Sequence, residues 1–510
     1  MGYAQVVLAC AYLAYENLPF WRNYMNEVSR EKFVGNICVG DKLNLLPHRL
    51  LQLGQNKIAV ISENSSGWCV TDVDNYTHIR DFFSQQEIIF DESLGNKKIS
   101  LINSLWDFNL LEKNGTHLGK IIQPFTPVLL VLKITGNCNF NCSYCYDYSE
   151  NRVSKTISID KVKETILFIL AKNRGMNLVF HGGEPLLYFS LIKEIVEFAV
   201  EAATNKKHIN FLIQTNGSMF NKEIITFLDK YNFGVGLSLD GMSETTNAHR
   251  TVKSGASCLE IFNKNIKEYR DFLRRRSGVI CTLSKRNLKD FPNFTLWLQD
   301  LGFRGVTLSP LSIAGKGINV INDLVSPEEY IKLLTILINM VKSKKIHISV
   351  DSINKFVSSL VQLRPSDLCH ANPCGAGDNF LLIDATGNYR TCDCFYHDYF
   401  LLDNNDINLA LDKRSKILDR VEYMKNHDCS NCAIFGFCGG GCTSEAIARN
   451  GIDKTIPELS CKVKKFFYEL LLKEFAFDKE RPLFAYYARC SKSRDPRVKP
   501  EDDTQERARG

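Results

Sequence analysis

The chain has 510 residues, a length typical of about three domains, and 45% of its residues are hydrophobic. This composition excludes a disordered tail protein and a collagen-like fibre. Lys and Arg total 63 against 57 Asp and Glu, and a net charge of +6 over this length predicts neither a nucleic-acid nor a membrane partner. The first hydrophobic run, residues 4–15, is too short to span a bilayer and lacks a basic flank and a clear cleavage site, so we predict a cytoplasmic protein.

The N-terminal part of the chain has the pattern of a small α+β module. Residues 1–35 precede it and are expected to be a disordered extension. Residues 45–53, 57–63 and 67–72 are typical of short strands separated by turns, and residues 73–84 have helical periodicity. We therefore predict a module over residues 36–123.

Residues 124–335 alternate short β-branched runs with amphipathic helical stretches. The predicted strands are 128–135, 178–181, 209–214, 234–239, 278–283 and 306–308. The predicted helices are 159–172, 191–203, 222–230, 259–275, 288–301 and one more after Ser326. Six such units predict an α/β fold with a partial (βα)6 barrel, whose chemistry should lie at the carboxyl ends of the strands.

The C-terminal region, residues 336–475, is rich in cysteine. Nine of the 18 cysteines fall between Cys369 and Cys461, and in a reducing compartment they indicate metal ligands rather than disulfides. Helical periodicity is weak before residues 462–473, so we expect bound metal rather than a large core to organise this region. Residues 476–510 are predicted to be a disordered tail.

Three further cysteines, Cys138, Cys142 and Cys145, follow the first predicted barrel strand on one loop. Three thiolates leave one iron of a four-iron cluster open to substrate, and Tyr144 could shield such a cluster from solvent. A zinc ion with a fourth ligand from elsewhere is the alternative.

This spacing, with an aromatic residue before the last cysteine, resembles the cluster motif of the radical S-adenosylmethionine (SAM) superfamily, over roughly residues 126–310. The resemblance implies a [4Fe-4S] cluster that binds SAM and cleaves it reductively to a 5'-deoxyadenosyl radical. Later family motifs follow at successive strand ends, namely Gly182-Gly183-Glu184-Pro185, Gln214-Thr215-Asn216-Gly217 and Ser238-Leu239-Asp240-Gly241. By the same resemblance, the cofactor contacts are Tyr144, Gly182, Gly183, Glu184, Gln214, Asn216, Ser238 and Asp240.

The later cysteines resemble the SPASM domain, which binds two auxiliary [4Fe-4S] clusters. The arrangement in sulfatase maturases implies two ligand sets, Cys369, Cys374, Cys392 and Cys442 for one cluster and Cys429, Cys432, Cys438 and Cys461 for the other. Cys394 lies two residues beyond Cys392 and could replace Cys369. Taken alone, the segment 429–461 is also compatible with a zinc-stabilised binding protein.

Asp393 directly follows Cys392, at a position where sulfatase maturases place a general base. A carboxylate beside a negatively charged cluster should have a raised pKa, so we predict a catalytic base here, with a solvated loop residue as the alternative. His249 and Arg250 lie where relatives approach substrate after the fourth strand, or they form only a polar loop before a helix.

The N-terminal module resembles the leader-peptide recognition modules of ribosomal-peptide (RiPP) maturases, which add an extended peptide to a sheet edge. Its Leu-Pro-x-Arg-type start, residues 46–49, is similar to that of the radical SAM maturases of His-Xaa-Ser repeat peptide systems. The resemblance implies an oxidoreductase that modifies a side chain of a precursor peptide or protein, with flavodoxin or ferredoxin as electron donor. Formylglycine formation of the anaerobic sulfatase-maturase type is the alternative.

Overall fold

The computed structural model describes residues 37–494, apart from 65, 85–87, 118–127, 153, 204–206, 364–368, 370–371, 379 and 395–396. The predictions for the extension over residues 1–35 and for the end of the tail, 495–510, lie outside the described residues. Among the residues that are described, no helix has the length and apolar character needed to cross a membrane.

The described part of the N-terminal module contains two three-stranded antiparallel sheets and two α-helices. Its elements are β1 (Lys42–Leu45), β2 (His48–Gly54), β3 (Lys57–Ser62), β4 (Trp68–Asp72), α1 (Val73–Ser84), β5 (Ile88–Ile89), α2 (Gly95–Asp107) and β6 (Leu111–Lys113). One sheet has the order β2-β3-β4 and the other β5-β1-β6. The strand predicted over 45–53 is β2, but it begins only at His48, because Pro47, which has no N–H to donate, separates β2 from β1. The second sheet and α2 were not predicted.

Strand β3 joins this module to the rest of the chain because both of its faces are buried. Ile58 and Val60 belong to the core of the module, whereas Ala59 and Ile61 belong to the large core shared with the barrel. Successive side chains of a strand point to opposite faces, so one strand serves both cores. The next strand adds a polar contact, in which Trp68 Nε1 donates to Leu360 O at 3.1 Å.

The barrel region contains the six predicted strands as parallel neighbours in chain order. Its elements are β7 (Leu129–Lys133), α3 (Ile159–Lys172), β8 (Gly175–His181), α4 (Phe189–Ala202), β9 (His208–Thr215), α5 (Lys222–Lys230), β10 (Gly234–Ser238), α6 (Cys258–Arg276), β11 (Ser277–Leu283), α7 (Phe291–Leu301), β12 (Gly305–Pro310) and α8 (Pro327–Lys342). The predicted α/β class is confirmed. The helix predicted from residue 288 begins at Phe291.

Capping residues explain where several barrel helices begin. Ser326 and Glu329 form a reciprocal capping box at the start of α8. The side chain of Asn221 accepts a hydrogen bond from the backbone of α5, and that of Ser257 accepts from the backbone of α6. These polar residues satisfy N–H groups that the first turn of a helix leaves without partners.

The C-terminal region continues the central sheet at both edges. Its elements are β13 (Ser349–Val350), α9 (Asp351–Gln362), β14 (Phe380–Ile383), β15 (Tyr389–Arg390), α10 (Ala410–Asn426), α11 (Phe435–Cys438), α12 (Thr443–Asn450), α13 (Glu458–Phe477) and α14 (Pro482–Arg494). The nine-stranded sheet has the order β13-β12-β11-β10-β9-β8-β7-β14-β15. Strand β14 runs parallel to β7, with Ile383 opposite Leu132, so the cysteine-rich region is attached to the first barrel strand.

Two expectations for the C-terminal region are wrong. Helices α10 and α13 have 17 and 20 residues, and Phe467 and Leu471 of α13 are fully buried, so apolar packing organises this region as well. The tail predicted from residue 476 instead contains α14, in which Leu483 and Tyr486 are fully buried. Helix α14 has an apolar run from Leu483 to Ala488, but the polar residues from Ser491 onward obscured its helical spacing.

Tyr486 anchors α14 to the sheet edge, because its hydroxyl donates to Ile348 O at 2.6 Å and accepts from Val350 N at 2.7 Å. We expect Tyr486→Phe to lower the free energy of unfolding by about 1–3 kcal/mol, since two buried backbone groups lose a partner. Tyr487→Phe is the matched control. The Tyr487 hydroxyl contacts the side chains of Ser358 and Gln362 at 3.1 and 3.3 Å, so its removal should lower the stability less. Melting temperatures measure the difference, and an equal loss in both variants would contradict the anchoring role.

Candidate functional site

The first cysteine loop, residues 138–145, follows β7 at the carboxyl edge of the parallel strands. Backbone hydrogen bonds to the segment after β10 hold it in place. Asn141 N donates to Thr251 O at 2.7 Å, and Ser143 N donates to His249 O at 3.0 Å. The three cysteines are therefore presented by a loop that is paired on one side rather than by an isolated turn.

Gly182 and Gly183 follow β8 and approach the beginning of this loop closely. Both have positive φ values, 84° and 52°. A Cβ atom on Gly183 would lie 2.0 Å from Asn137 O, so only glycine permits this contact. The two glycines, which the sequence predicts as cofactor contacts, thus form a tight backbone contact beside the cysteines, here called the glycine cradle, that any larger residue would disrupt.

Glu184 connects the ends of two neighbouring strands through a buried carboxylate. Its oxygens accept hydrogen bonds from Thr215 Oγ1 at 2.7 Å and Asn216 N at 2.8 Å. Burial raises the pKa of Glu184 to about 7, although these hydrogen bonds lower it in part. Asn216 Nδ2 in turn donates to Asn139 Oδ1 at 3.0 Å and lies 3.9 Å from Cys138 Sγ. Glu184 therefore positions Asn216 against the cysteine loop.

The Tyr144 hydroxyl lies between a carboxylate and a guanidinium group. Its hydroxyl donates to Asp240 Oδ2 and accepts from Arg250 Nη1 at 2.8 Å. The other oxygen of Asp240 accepts from Thr282 N at 2.9 Å. Burial raises the pKa of Asp240, and the charge of Arg250 opposes that rise. Arg250, which the sequence associated with substrate approach or with a polar loop, thus places a buried cation beside the cysteine loop.

The other predicted cofactor residues lie at the same edge. Gln214 lies near the end of β9, close enough to His181 to raise the pKa of that imidazole in part. Ser238 ends β10 and pairs with Ile280 of β11. The structure therefore places the predicted cofactor residues at the same edge of the sheet as the first cysteine loop, and their contacts to a cofactor stay predictions.

His249 supports the loop as well. One ring nitrogen lies 2.6 Å from Ser143 Oγ, and the other lies 3.0 Å from Asp323 Oδ2. Burial lowers the pKa of His249. The segment that follows leads into α6, where Ser257 is the capping residue, so this part matches the simpler expectation of a polar loop before a helix.

Four cysteines of the C-terminal region share one cavity. Cys429, Cys432, Cys438 and Cys461 all line it, together with Lys465. Burial raises the pKa of Cys429 to about 12, and the charges of the three other cysteines add to the rise. Four thiols around one cavity are the donor set that a [4Fe-4S] cluster requires, so these residues fit the group.

The five other cysteines between residues 369 and 461 form a second group, although a [4Fe-4S] cluster needs only four thiolate ligands. Burial raises the pKa of Cys374 to about 11, and nearby Cys442 and Cys369 add to that rise. Cys394 is near Cys369 and Cys392, both of which shift its pKa. Both candidates for the fourth position, Cys369 and Cys394, therefore belong to this group. Within the described residues, no three His, Cys, Asp or Glu side chains meet the geometry of a single-metal site.

Asp393 faces Lys133 at the end of β7. Lys133 Nζ lies 2.6 Å from Asp393 Oδ1, and the lysine side chain is only 1% exposed. The predicted rise in the pKa of Asp393 is wrong. Burial raises that pKa, but the positive charge of Lys133 and the nearby His181 outweigh burial, and the pKa is lowered. The carboxylate is therefore ionised at neutral pH, the form that a proton acceptor needs.

Lys133 also contacts the end of β8 and the two residues directly after the first cysteine loop. Its Nζ lies 3.2 Å from His181 Nδ1, 3.2 Å from Tyr146 Oη and 3.7 Å from Asp147 Oδ1. Burial and the charge of Lys133 lower the pKa of His181. Sequence reasoning missed Lys133, although a lysine directly after the apolar run Leu-Leu-Val-Leu of β7 was a usable signal. The network links the cysteine loop to Asp393 of the C-terminal region.

Comparisons with known proteins agree with this geometry. Residues 132–298 match the Radical SAM superfamily. A cysteine-type anaerobic sulfatase-maturating enzyme of Clostridium novyi is 24% identical over 369 residues, which cover 67% of this chain and 94% of that protein. The antilisterial bacteriocin subtilosin biosynthesis protein AlbA of Bacillus subtilis is 23% identical over 328 residues, which cover 62% of this chain and 67% of that protein.

A solved structure has the same fold. It is native anSMEcpe with bound AdoMet and Kp18Cys peptide, with a TM-score of 0.58 and 18% sequence identity. The match covers 69% of this chain and 98% of that chain.

The glycine cradle can be tested without a substrate. We expect Gly183→Ala to lose about four irons per chain, those of one cluster, because its Cβ would collide with Asn137 O next to Cys138. Gly115→Ala is the matched control, since Gly115 also has a positive φ of 75° but has nothing within 4 Å of the added Cβ. Iron content after anaerobic reconstitution measures the effect. Equal iron in the two variants would show that the collision does not disturb the loop.

Proposed function

This chain carries a radical SAM domain, and from that premise we propose that it is a maturase that oxidatively modifies a side chain of a peptide or protein. One observation carries the proposal. The first cysteine loop and the glycine cradle lie at one sheet edge, and Lys133 joins that edge to Asp393 of the cysteine-rich region. The match to the radical SAM domain, the fold and the arrangement of the cysteines all support an enzyme rather than a binding protein.

Cys138, Cys142 and Cys145 would hold the [4Fe-4S] cluster that binds SAM. When bound, this cluster and SAM supply the radical that removes a hydrogen atom from the substrate. The chain itself prepares the site. Glu184 positions Asn216 and Asp240 positions Tyr144, so the polar groups around the loop are oriented before any ligand arrives.

Two auxiliary [4Fe-4S] clusters would be held by the C-terminal cysteines. Cys429, Cys432, Cys438 and Cys461 form one ligand set, and Cys374, Cys392 and Cys442 with Cys369 form the other. We prefer Cys369 over Cys394, because Cys369 interacts with both Cys374 and Cys442. Four thiolates on each cluster leave no open iron, which suits electron transfer rather than SAM binding. Flavodoxin or ferredoxin is the electron donor that we propose.

The substrate proposal is a peptide. The subtilosin biosynthesis protein and the peptide-bound anSMEcpe structure, both similar to this chain, support that class. Maturation of a ribosomal peptide is favoured over formylglycine formation by the N-terminal module, whose β2-β3-β4 sheet has two edge strands to which an extended peptide could be added. Formylglycine formation is the alternative, because a sulfatase-maturating enzyme is among the relatives.

Metal content and SAM cleavage test the proposal together. We expect about twelve irons per chain after anaerobic reconstitution, from three four-iron clusters. Replacing Cys138, Cys142 and Cys145 by Ala should leave about eight irons and abolish 5'-deoxyadenosine formation, because the auxiliary ligands stay in place. Iron analysis and chromatography of the products measure both effects.

Two outcomes would contradict the proposal. Stoichiometric zinc without iron would favour the zinc-stabilised binding protein. Continued 5'-deoxyadenosine formation in the triple variant would mean that the first cysteine loop does not bind the SAM-cleaving cluster.

Asp393 is proposed to accept the proton that leaves the substrate. We expect Asp393→Asn to retain iron and SAM cleavage but to slow product formation by about 10²–10⁴-fold, the usual contribution of a positioned base. Asp398→Asn, at an exposed acid a few residues further on, is the control and should keep the normal rate. The ratio of 5'-deoxyadenosine to product measures the uncoupling. Normal product formation with all clusters present would reduce Asp393 to a loop residue.

A further inference from the structure

Arg49 of the N-terminal module contacts the backbone that presents the second cysteine set. Its Nη1 donates to the carbonyl oxygens of Cys429 and Cys432, the latter at 2.9 Å. The guanidinium carbon lies 4.9 Å from the centre of the Phe435 ring. The side chain is 11% exposed, so its charge is poorly screened by water. Arg49 is the arginine of the Leu-Pro-x-Arg-type start, for which the sequence suggested no role.

Neighbouring groups fix the position of this arginine. Arg49 Nε lies 2.7 Å from Glu63 Oε1, and Lys425 Nζ lies 3.0 Å from Glu63 Oε2. The module and the cysteine region also touch through their backbones, because a Cβ atom on Gly436 would lie 1.8 Å from Ser62 O. The arginine is therefore part of a built interface between β2, β3 and α11.

Arg49 is not needed to satisfy these carbonyl groups. Cys429 O already accepts from Cys432 N at 3.0 Å, and Cys432 O already accepts from Phe435 N at 3.1 Å. The arginine therefore contributes additional hydrogen bonds and, above all, a fixed positive charge at the loop. The charges of Lys425 and Glu63 cancel, so Arg49, Glu63 and Lys425 together carry a net charge of +1.

We propose that Arg49 sets the reduction potential of the cluster held by Cys429, Cys432, Cys438 and Cys461, and that the N-terminal module thereby takes part in electron transfer. The inference rests on the proposed function, because it requires an iron-sulfur cluster at these cysteines. A cluster with four thiolate ligands gains one negative charge on reduction. A nearby cation stabilises that charge and raises the potential, and hydrogen bonding and local charge are recognised determinants of it.

The test is a potentiometric titration of the full-length, reconstituted protein, followed by electron paramagnetic resonance. A second titration in the background with Ala at Cys138, Cys142 and Cys145 removes the signal of the first cluster. Arg49→Met should lower the midpoint potential of one auxiliary cluster and leave the other unchanged. Glu63→Gln, which removes a negative charge, should raise the midpoint of that same cluster. Arg49→Lys should keep most of the wild-type value.

Arg80→Met is the control, since Arg80 lies in the same module, is 56% exposed and pairs with Asp81. Shifts of opposite sign in Arg49→Met and Glu63→Gln would support the inference, because general damage to the interface cannot produce both. Unchanged midpoints in Glu63→Gln and Arg49→Met, with full iron content, would overturn the inference alone. If Arg49→Met does not retain iron, the Glu63→Gln variant decides: a raised midpoint potential supports the inference, and an unchanged one overturns it. Wild-type protein without auxiliary iron would overturn the proposed function and this inference together.

Discussion

A buried lysine ammonium at the end of the first barrel strand is the constraint on which the arrangement of the site depends. An isolated buried charge costs several kcal/mol, so the fold must supply partners for Lys133. Asp393 at 2.6 Å comes from the C-terminal region, and Asp147 at 3.7 Å comes from the chain just after the first cysteine loop. The compensation of one charge therefore requires that the cysteine loop and the cysteine-rich region both lie against β7.

Two features of the backbone allow that arrangement. Strand β14 pairs in parallel with β7, which carries the cysteine-rich region to the edge of the barrel. Strand β3 contributes Ala59 and Ile61 to the shared core, so the N-terminal module packs directly on the rest of the chain. Point variants, rather than deletion of the module, are therefore the proper probes of its function, since deletion would expose that core to water.

Three acids of the site differ in their partners, and the difference is consistent with the roles proposed for them. Glu184 and Asp240 are buried, have raised pKa values and direct their oxygens at donors of the chain itself. They orient Asn216 and Tyr144 at the cysteine loop. Asp393 has a lowered pKa, because its main partner is a cation, and its side chain is 25% exposed. An ionised and partly accessible carboxylate suits contact with a substrate, whereas the other two acids suit the support of a preformed cradle.

The sequence by itself determined the features that depend on local spacing. The βα alternation is set by side-chain period, the first cysteine loop by three residues within eight positions, and the start of α8 by Ser326 and Glu329. Only the tertiary structure decided features that depend on distant pairing. The pKa shift of Asp393 has the opposite sign to the one expected because Lys133 lies beside it, and Arg49 reaches Cys429 across 380 positions of the chain. Helix α14 also went unpredicted, because its short apolar run could be identified as a packed helix only from its contact with the sheet edge at Ile348 and Val350. Local patterns specify elements and motifs, but the electrostatic environment of a side chain belongs to whichever elements the fold packs against it.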